Sequence, residues 1–302
     1  MTVLFSDIND YQKEKRAMER KYALLGESLK HTMSPPIHRR LFELKNREFT
    51  YEIIELPPEA LEGHAEYLKA LAGFNITIPH KIGIIPYCDK LADSAKRYNS
   101  VNCVDNKDGV HTGYNTDCDG FLATIRAMGA DLGGKVLLIG CGGVGRMMAI
   151  EAALAGADLV IAVLESDIPL AEQAKKEIIA MKSDAKVTIV KNTEIDTSVS
   201  YDLLMNACPV GMYPRVEGCP VSDEVIEASK AVFDVIYNPR ETVLIRKARA
   251  LGKKAAGGMA MLVWQAVKAH EIWDSDTYTD SEVQAIIEEM ELQVEKDFPI
   301  GK

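Results

Sequence analysis

Residues 135–146 read Lys135-Val-Leu-Leu-Ile-Gly140-Cys-Gly142-Gly143-Val144-Gly145-Arg146. The apolar run Lys135–Gly140 has the length of a buried strand, and the helical stretch Met147–Leu154 comes directly after the glycines. A G-x-G-x-x-G turn between a strand and a helix binds the pyrophosphate of a dinucleotide, because the backbone can approach closely and the helix N-terminus offers N–H groups. We therefore predict a dinucleotide-binding domain that contacts its cofactor through Gly140, Gly142, Gly143, Val144 and Gly145.

The residues after the next predicted strand bear on which dinucleotide is bound. Glu165 lies 25 residues after Gly140, and Asp167 follows two positions later. A carboxylate at this point accepts hydrogen bonds from the adenosine ribose and repels a 2′-phosphate, whereas NADP sites need Arg or Lys there. Because segment 165–167 contains no cation, the sequence predicts NAD as the cofactor, with NADP as the alternative.

Apolar runs of strand length alternate with stretches of helical period along the chain, a pattern typical of βαβ units and a parallel sheet. The predicted strands form two series. The first consists of Tyr22–Gly26, Tyr51–Leu56, Phe74–Ile78, Val101–Asp105 and Val110–Tyr114. The second consists of Lys135–Gly140, Leu159–Leu164, Lys186–Val190, Leu203–Asn206, Ala231–Val235 and Lys253–Ala256. The sequence thus predicts an α/β protein of two domains, an N-terminal open α/β sheet for the substrate and a Rossmann-type dinucleotide-binding domain.

A predicted helix over Gly120–Gly129 separates the two series and marks the domain boundary. We assign residues 1–118 to a substrate-binding catalytic domain and residues 119–258 to the dinucleotide-binding domain. The tail has helical patterns over Met259–Trp273 and Ser281–Phe298, and no strand follows them. We expect the helices of 259–302 to return to the first domain.

The composition argues against several classes of protein. The 302 residues include 35 Lys plus Arg and 45 Asp plus Glu, and the formal net charge of −10 disfavours nucleic acid and membrane partners. Six cysteines without CxxC spacing predict neither a metal site nor a disulfide framework. The first twenty residues lack the apolar core of a secretory signal, and no run of about 18 uncharged apolar residues occurs. We expect a cytoplasmic protein that binds a small molecule as a monomer or a homodimer.

Polar residues occur near the ends of the strands predicted for the first half, where open α/β sheets bind their ligands. They are Asn75, Thr77, Lys81, Asn102 and Asn115-Thr116-Asp117. Asn and Asp at such positions also form turns, and a single Lys is commonly a solvated charge. The residue types alone therefore leave a binding site and ordinary turns both open.

Longer blocks of sequence carry a resemblance that runs in order from about Tyr22 to His270. They are Gly26-Glu-Ser-Leu-Lys-His-Thr32-Met-Ser34-Pro-Pro-Ile-His38, Asn75-Ile-Thr77-Ile-Pro79-His-Lys81, Asn102, Asn115-Thr116-Asp117, the glycine turn, Asn206-Ala207, Gly211-Met212, Asp234-Val-Ile-Tyr237-Asn-Pro239-Arg-Glu-Thr242 and Met261-Leu-Val-Trp-Gln265-Ala266. In these blocks the chain resembles shikimate dehydrogenases. The resemblance implies an oxidoreductase that reversibly reduces 3-dehydroshikimate to shikimate with NAD(P), in aromatic amino-acid biosynthesis.

The resemblance also implies roles for individual residues. Lys81 and Asp117 would form the catalytic pair, with Lys81 either the proton donor or mainly an orienting and polarising group. The substrate carboxylate would be held by Thr32, Ser34 and Tyr237. The ring hydroxyls would be bound by Thr77, Asn102, Asp117 and Gln265. Further cofactor contacts would come from Asn206, Gly258 and Met259.

Some positions depart from the family pattern or suggest another function. Thr32 stands where the family usually has serine, which makes quinate an alternative substrate. A catalytically silent NAD-binding paralogue would share the fold, but the presence of Lys81 and Asp117 argues against it. A glutamyl-tRNA reductase would share this kind of nucleotide-binding domain. It would also need a nucleophilic cysteine and a basic surface for tRNA, and the net charge of −10 argues against such a surface. We interpret His38 and His80 as structural or solvent-facing.

Overall fold

The computed structural model describes residues 20–30 and 32–299. The charged segment considered above for a secretory signal therefore lies outside the described residues, except for Arg20. The strands are β1 (Lys21–Gly26), β2 (Thr50–Glu55), β3 (Gly73–Ile76), β4 (Lys90–Leu91), β5 (Cys103–Lys107), β6 (Val110–Tyr114), β7 (Lys135–Ile139), β8 (Asp158–Val163), β9 (Lys186–Lys191), β10 (Leu203–Asn206), β11 (Ala231–Asp234) and β12 (Lys254–Ala256). The helices are α1 (Ser34–Leu44), α2 (Leu61–Lys69), α3 (His80–Gly83), α4 (Asp93–Tyr98), α5 (Asp117–Met128), α6 (Gly143–Ala155), α7 (Ile168–Met181), α8 (Asp223–Glu227), α9 (Val243–Ala250), α10 (Gly258–Asp274) and α11 (Asp280–Asp297).

The second half of the chain forms the parallel sheet that its sequence predicts. Its strand order is β12-β11-β10-β7-β8-β9, and every neighbouring pair is parallel. This is the doubly wound order of dinucleotide-binding folds, in which ligands bind where the direction of winding reverses. That reversal lies between β7 and β10, at the strand that leads into the glycine turn. The predicted Rossmann-type domain is confirmed.

The first sheet differs from the parallel sheet that we predicted. Its order is β2-β1-β3-β5-β6-β4, and β5 is antiparallel to both β3 and β6. The prediction was wrong here because no helix separates β5 from β6. They are joined by a hairpin in which Asp108 and Gly109 have φ of 54° and 81°. Asp-Gly is a strong signal for such a turn, so the sequence did contain the correct information.

The chain divides into two compact units, each with its own sheet. Among the described residues, the first contains those up to Thr116 together with Ala266–Glu282, and the second contains Asp117–Gln265 together with residues 283–299. Most of α11 thus groups with the dinucleotide-binding sheet, whereas we predicted that all of 259–302 would join the first domain.

The C-terminal half of α10 is a structural part of the first unit. Trp273 is almost completely buried among Tyr22, Phe42 and Cys103, and its indole N–H donates to the Val104 carbonyl at 2.9 Å. A side chain on Gly73 would collide with the indole ring. This part of the tail therefore does return to the first sheet.

Within residues 20–30 and 32–299, no helix combines the length and the apolar character needed to cross a lipid bilayer.

Candidate active site

The glycine turn after β7 owes its shape to two positions that cannot carry a side chain. Gly140 has φ of 85°, in the left-handed region that glycine adopts without strain. A Cβ on Gly145 would lie 2.5 Å from the carbonyl oxygen of Gly140. Helix α6 can therefore start directly against the end of β7, as a dinucleotide-binding turn requires.

The same turn leaves open space at the start of α6. Gly142 is the N-cap and caps the helix without a side chain, and a Cβ on Gly142 or Gly143 would meet nothing within 4 Å. The first N–H groups of a helix have no intrahelical acceptor, and the helix dipole favours an anion there. Val144 and Gly145 complete this first turn. The residues present thus fit the pyrophosphate of a dinucleotide.

Glu165 lies just beyond β8, as predicted, but a cation lies beside it. Its side chain is 78% exposed, and Lys191 Nζ donates to Glu165 Oε1 at 2.9 Å. Lys191 is the last residue of β9, which pairs with β8. Segment 165–167 alone gives no sign of this lysine, because only the pairing of the two strands brings it there. Asp167, half-buried, accepts a hydrogen bond from the Ser166 hydroxyl at 3.1 Å.

A second cation follows the glycine turn and is bound to a carboxylate. Arg146 Nε donates to Glu177 Oε2 of α7 at 2.6 Å. Burial raises the pKa of Glu177, but hydrogen bonds from Gln173 and Arg146 outweigh burial and lower it below its usual range. Glu177 therefore stays ionised at neutral pH and holds Arg146.

A buried carboxylate at the end of β11 connects the loops around this edge of the second sheet. Asp234 accepts hydrogen bonds from Asn206 Nδ2 at 2.9 Å, Ile236 N–H at 3.1 Å and the Thr242 hydroxyl at 2.7 Å. Burial raises the pKa of Asp234 to about 6, against the lowering effect of these three bonds. The carboxylate thereby fixes Asn206 and the backbone next to Tyr237. Asp234 begins one of the blocks of sequence that carry the resemblance, but we predicted no role for it, because a lone acid at a strand end carries no specific signal.

The start of α10 is determined by close packing. A side chain on Gly258 would collide with the Val235 carbonyl, and the next residue, Met259, is buried. Gln265 is also buried, and its Nε2 donates to the Leu262 carbonyl at 2.9 Å. Packing alone accounts for Gly258 and Met259, so their contact with a cofactor remains a prediction.

In the first unit, Thr32 and Ser34 lie at the start of α1. The Ser34 N–H donates to Thr32 Oγ1 at 3.2 Å, and Ser34 is buried. The preceding loop is held by the Leu29 N–H, which donates to Glu55 Oε1 at 2.7 Å. Two hydroxyls at the positive end of a helix dipole suit a carboxylate.

Thr77 and Lys81 follow the end of β3. A Cβ on Gly26 would lie 2.7 Å from Thr77 Cγ2, so Thr77 packs directly over the end of β1. Lys81 is in the short helix α3, and its carbonyl accepts a hydrogen bond from the Val101 N–H at 2.8 Å. The backbone of Lys81 is therefore fixed to the residue that precedes Asn102.

Asn102 fixes the turn that leads to Asp117. Its Oδ1 accepts from the Thr116 N–H at 2.7 Å, and its Nδ2 donates to Thr116 Oγ1 at 3.1 Å. Asn102 lies one residue before β5, not inside a strand as we predicted, and its carbonyl accepts from the Ile76 N–H at 2.8 Å. Asp117 follows Thr116 covalently and is the first residue of α5.

The mixed pairing of the first sheet explains how distant segments meet at one edge. β1, β3 and β6 end at this edge, and β5, being antiparallel, begins there. The structure thereby brings together Thr77, the backbone of Lys81, Asn102 and Thr116. Tyr237 and Gln265 instead belong to the second unit, which also contains the predicted cofactor residues.

Asn75, one of the polar residues noted near a strand end, supports Asn102 together with Tyr51. The Tyr51 hydroxyl donates to Asn75 Oδ1 at 2.9 Å, and Asn75 Nδ2 lies 3.5 Å from the Asn102 carbonyl. Asn75 is buried, so this chain of bonds is shielded from water.

The two histidines that we weighed are both buried. His38 Nδ1 lies 3.0 Å from His270 Nε2, and burial lowers the pKa of His38 to about 3. His80 Nε2 lies 2.7 Å from the Leu56 carbonyl oxygen. The structural interpretation is confirmed and the solvent-facing one was wrong. Among the described residues, no group of three or more His, Cys, Asp or Glu side chains is arranged to hold a metal ion.

Comparisons with known proteins point to one family. Residues 24–104 match the model of the shikimate dehydrogenase substrate binding domain. The shikimate dehydrogenase (NADP(+)) of Caldanaerobacter subterraneus subsp. tengcongensis is 35% identical over 263 residues, which cover 85% of this chain and 92% of the relative.

Solved structures are similar over both units. Shikimate 5-dehydrogenase from Listeria monocytogenes, in complex with shikimate and NAD, matches with a TM-score of 0.80 at 28% identity, over 90% of this chain and 96% of that one. Quinate dehydrogenase from Corynebacterium glutamicum, in complex with NAD, matches with a TM-score of 0.77 at 26% identity, over 90% and 98% of the two chains.

Proposed function

The chain belongs to the shikimate dehydrogenase family, and from this premise we propose that it reversibly reduces 3-dehydroshikimate to shikimate with NAD(P), in aromatic amino-acid biosynthesis. The proposal rests on one edge of the first sheet, where hydrogen bonds fix the backbone next to the predicted catalytic residues. There the backbone of Lys81 is tied to Val101, and Asn102 holds Thr116, the residue before Asp117. The open glycine turn of the second unit supports the use of a dinucleotide.

The chemistry assigns complementary tasks to Lys81 and Asp117. When bound, the nicotinamide supplies or accepts the hydride. Reduction of a ring ketone builds negative charge on its oxygen, and the Lys81 ammonium stabilises that charge and donates a proton or polarises the bond. The Asp117 carboxylate accepts a hydrogen bond from a substrate hydroxyl and pairs with Lys81.

The remaining predicted residues recognise the substrate. We assign its carboxylate to the hydroxyls of Thr32 and Ser34, at the start of α1, and to Tyr237. We assign the ring hydroxyls to Thr77, Asn102, Asp117 and Gln265. A site of this kind discriminates strongly, because each polar group left unpaired by an analogue costs about 1–3 kcal/mol.

For the cofactor we propose a preference for NAD, with contacts from Gly140, Gly142, Gly143, Val144, Gly145, Asn206, Gly258 and Met259. The preference rests on Glu165 and Asp167, because a carboxylate beside the ribose repels a 2′-phosphate. It differs from the relative of Caldanaerobacter, whose name specifies NADP(+).

Quinate is the second candidate substrate. Thr32 replaces the usual serine at the predicted carboxylate site, and the chain is similar to a quinate dehydrogenase. We also propose a cytoplasmic location, which is supported by the fact that all six cysteines are free thiols.

Initial rates with shikimate and quinate, each against NAD and NADP, test the proposal. We expect the highest kcat/KM for shikimate with NAD. Lys81→Met should lower kcat by about 100-fold or more, since general acid–base catalysis contributes 10²–10⁴. The matched control is Lys90→Met, an exposed lysine on β4, which should leave kcat unchanged. A Lys81→Met protein that oxidises shikimate at the wild-type rate would disprove the role of Lys81.

A further inference from the structure

The ion pair between Glu165 and Lys191 lies where the motif expects the adenosine ribose. Lys191 Nζ and Glu165 Oε1 are 2.9 Å apart, and the two side chains are 37% and 78% exposed. Exposed ion pairs of this kind contribute little to stability, so this one opens at little cost.

If the ion pair opens, Lys191 can bind an anion that carries more charge than the Glu165 carboxylate. A phosphate monoester carries about −1.5 to −2 charges at pH 7 and three acceptor oxygens, whereas the Glu165 carboxylate carries one charge. An ammonium donor therefore gains by exchanging the carboxylate for a phosphate. Arg146, the cation that follows the glycine turn, is bonded to Glu177 on α7 in a less exposed pair, with side chains 25% and 26% exposed.

We propose that Lys191 is a specificity-determining residue for the adenosine end of the cofactor. With an unmodified ribose, Glu165 accepts hydrogen bonds from the hydroxyls and keeps Lys191 as its partner. With a 2′-phosphate, Lys191 leaves Glu165 and binds the phosphate, so the protein accepts NADP as well as NAD. This inference rests on the dinucleotide binding of the proposed function. It adds a residue, Lys191, through which the protein accepts NADP in addition to NAD.

Adenosine 2′,5′-bisphosphate and 5′-AMP isolate this interaction, because they differ only in the 2′-phosphate. We would titrate each into the full-length protein and measure Kd by calorimetry. Lys191→Gln should weaken the bisphosphate by about tenfold or more and change the Kd of 5′-AMP less than about twofold. Glu165→Gln should tighten the bisphosphate, because it removes the competing carboxylate.

The matched control is Lys186→Gln, which removes the same charge from the other end of β9. Lys186 is exposed and lies five residues away, about 16 Å along the strand. Lys186→Gln should leave the Kd of both nucleotides unchanged. An effect of Lys191→Gln alone would then be due to a local contact and not to the change in net charge. Lys191→Arg should retain tight binding of the bisphosphate.

Three results would overturn the proposal: equal effects of Lys191→Gln on both nucleotides, no effect on either, or a wild-type protein that fails to bind the bisphosphate. In steady state, the ratio of kcat/KM for NADP to that for NAD should fall with the same variant. The calorimetry contains no shikimate, so a protein inactive on shikimate would refute the proposed function and leave this result standing.

Discussion

The two sheets differ in what shapes the loops at the edge where each is proposed to bind its ligand. At the edge of the parallel sheet, the glycine turn depends on missing side chains, since Gly145 packs against the Gly140 carbonyl. At the edge of the mixed sheet, the loops depend on buried polar side chains, since Asn102 bonds to both the N–H and the hydroxyl of Thr116. The first edge should therefore fail when atoms are added, and the second when atoms are removed.

Adding one methyl group to the glycine turn should have the largest effect. Gly145→Ala places a Cβ 2.5 Å from the Gly140 carbonyl oxygen, so α6 must move away from β7. We expect the Kd for NAD to rise by about 100-fold or more, equivalent to about 2.7 kcal/mol, as measured by calorimetry. Gly63→Ala, in α2, meets nothing within 4 Å and should bind NAD normally. Unchanged affinity in Gly145→Ala would contradict the packing argument.

Asp234 is an exception, a polar side chain that organises the parallel sheet. Because burial raises its pKa in the folded protein to about 6, above the usual 3.8, the folded state binds its proton more tightly than the unfolded state. This carboxyl should therefore lower the free energy of unfolding as pH rises from about 4 to 6, by about 2–3 kcal/mol.

The pH dependence of Asp234→Asn relative to the wild type isolates this effect. Urea unfolding of both proteins between pH 4 and pH 7.5 should show that the stability of the wild type relative to the variant decreases with rising pH and levels off above about pH 6. Parallel pH profiles for the two proteins would mean that the carboxyl titrates normally.

Removing the amide of Asn102 should affect the mixed sheet alone. Asn102→Ala leaves the buried N–H of Thr116 without its acceptor, at a cost of about 1–3 kcal/mol in the free energy of unfolding. Because Asp117 follows Thr116, we also expect kcat to fall. The Kd for NAD should stay at the wild-type value, and a parallel loss of NAD affinity would erase the distinction between the two edges.

The smallest effect should come from the support beneath Asn102. Tyr51→Phe removes only the hydroxyl that donates to Asn75 Oδ1, and we expect a loss of about 0.5–1.5 kcal/mol in thermal or urea unfolding. Because Asn75 Nδ2 still lies beside the Asn102 carbonyl oxygen in this variant, kcat should change less than about twofold. A loss of activity as large as that of Asn102→Ala would mean that the support controls the site directly.

Local sequence signals predicted the parallel sheet well, because the glycine spacing and the apolar runs each determine one element. The mixed sheet was predicted less well. The Asp108-Gly109 turn was the local evidence for an antiparallel hairpin, and the alternation of strands and helices elsewhere obscured it. The sequence still placed Thr77, Lys81 and Asn102 near strand ends, where the structure has them.

Contacts that depend on strand pairing could not be predicted in the same way. Lys191 reaches Glu165 only because β9 lies beside β8, and no spacing rule connects the two positions. Both bonds of the Asn75 side chain, and the bond from Asn206 to Asp234, likewise join residues more than 20 positions apart in the sequence. Their functional context becomes visible only when the register of the sheets is known.

The fit of Trp273 over Gly73 has a consequence for synthesis of the chain. All the strands of the first sheet have been synthesised once translation reaches Tyr114, yet the indole that fills the space above Gly73 is added almost 160 residues later. Until Trp273 is added, the core of the first sheet lacks the side chain that packs against Gly73. By that point every strand of the second sheet has been synthesised. The sheet that is translated first therefore completes its core only after every strand of the second sheet has been made.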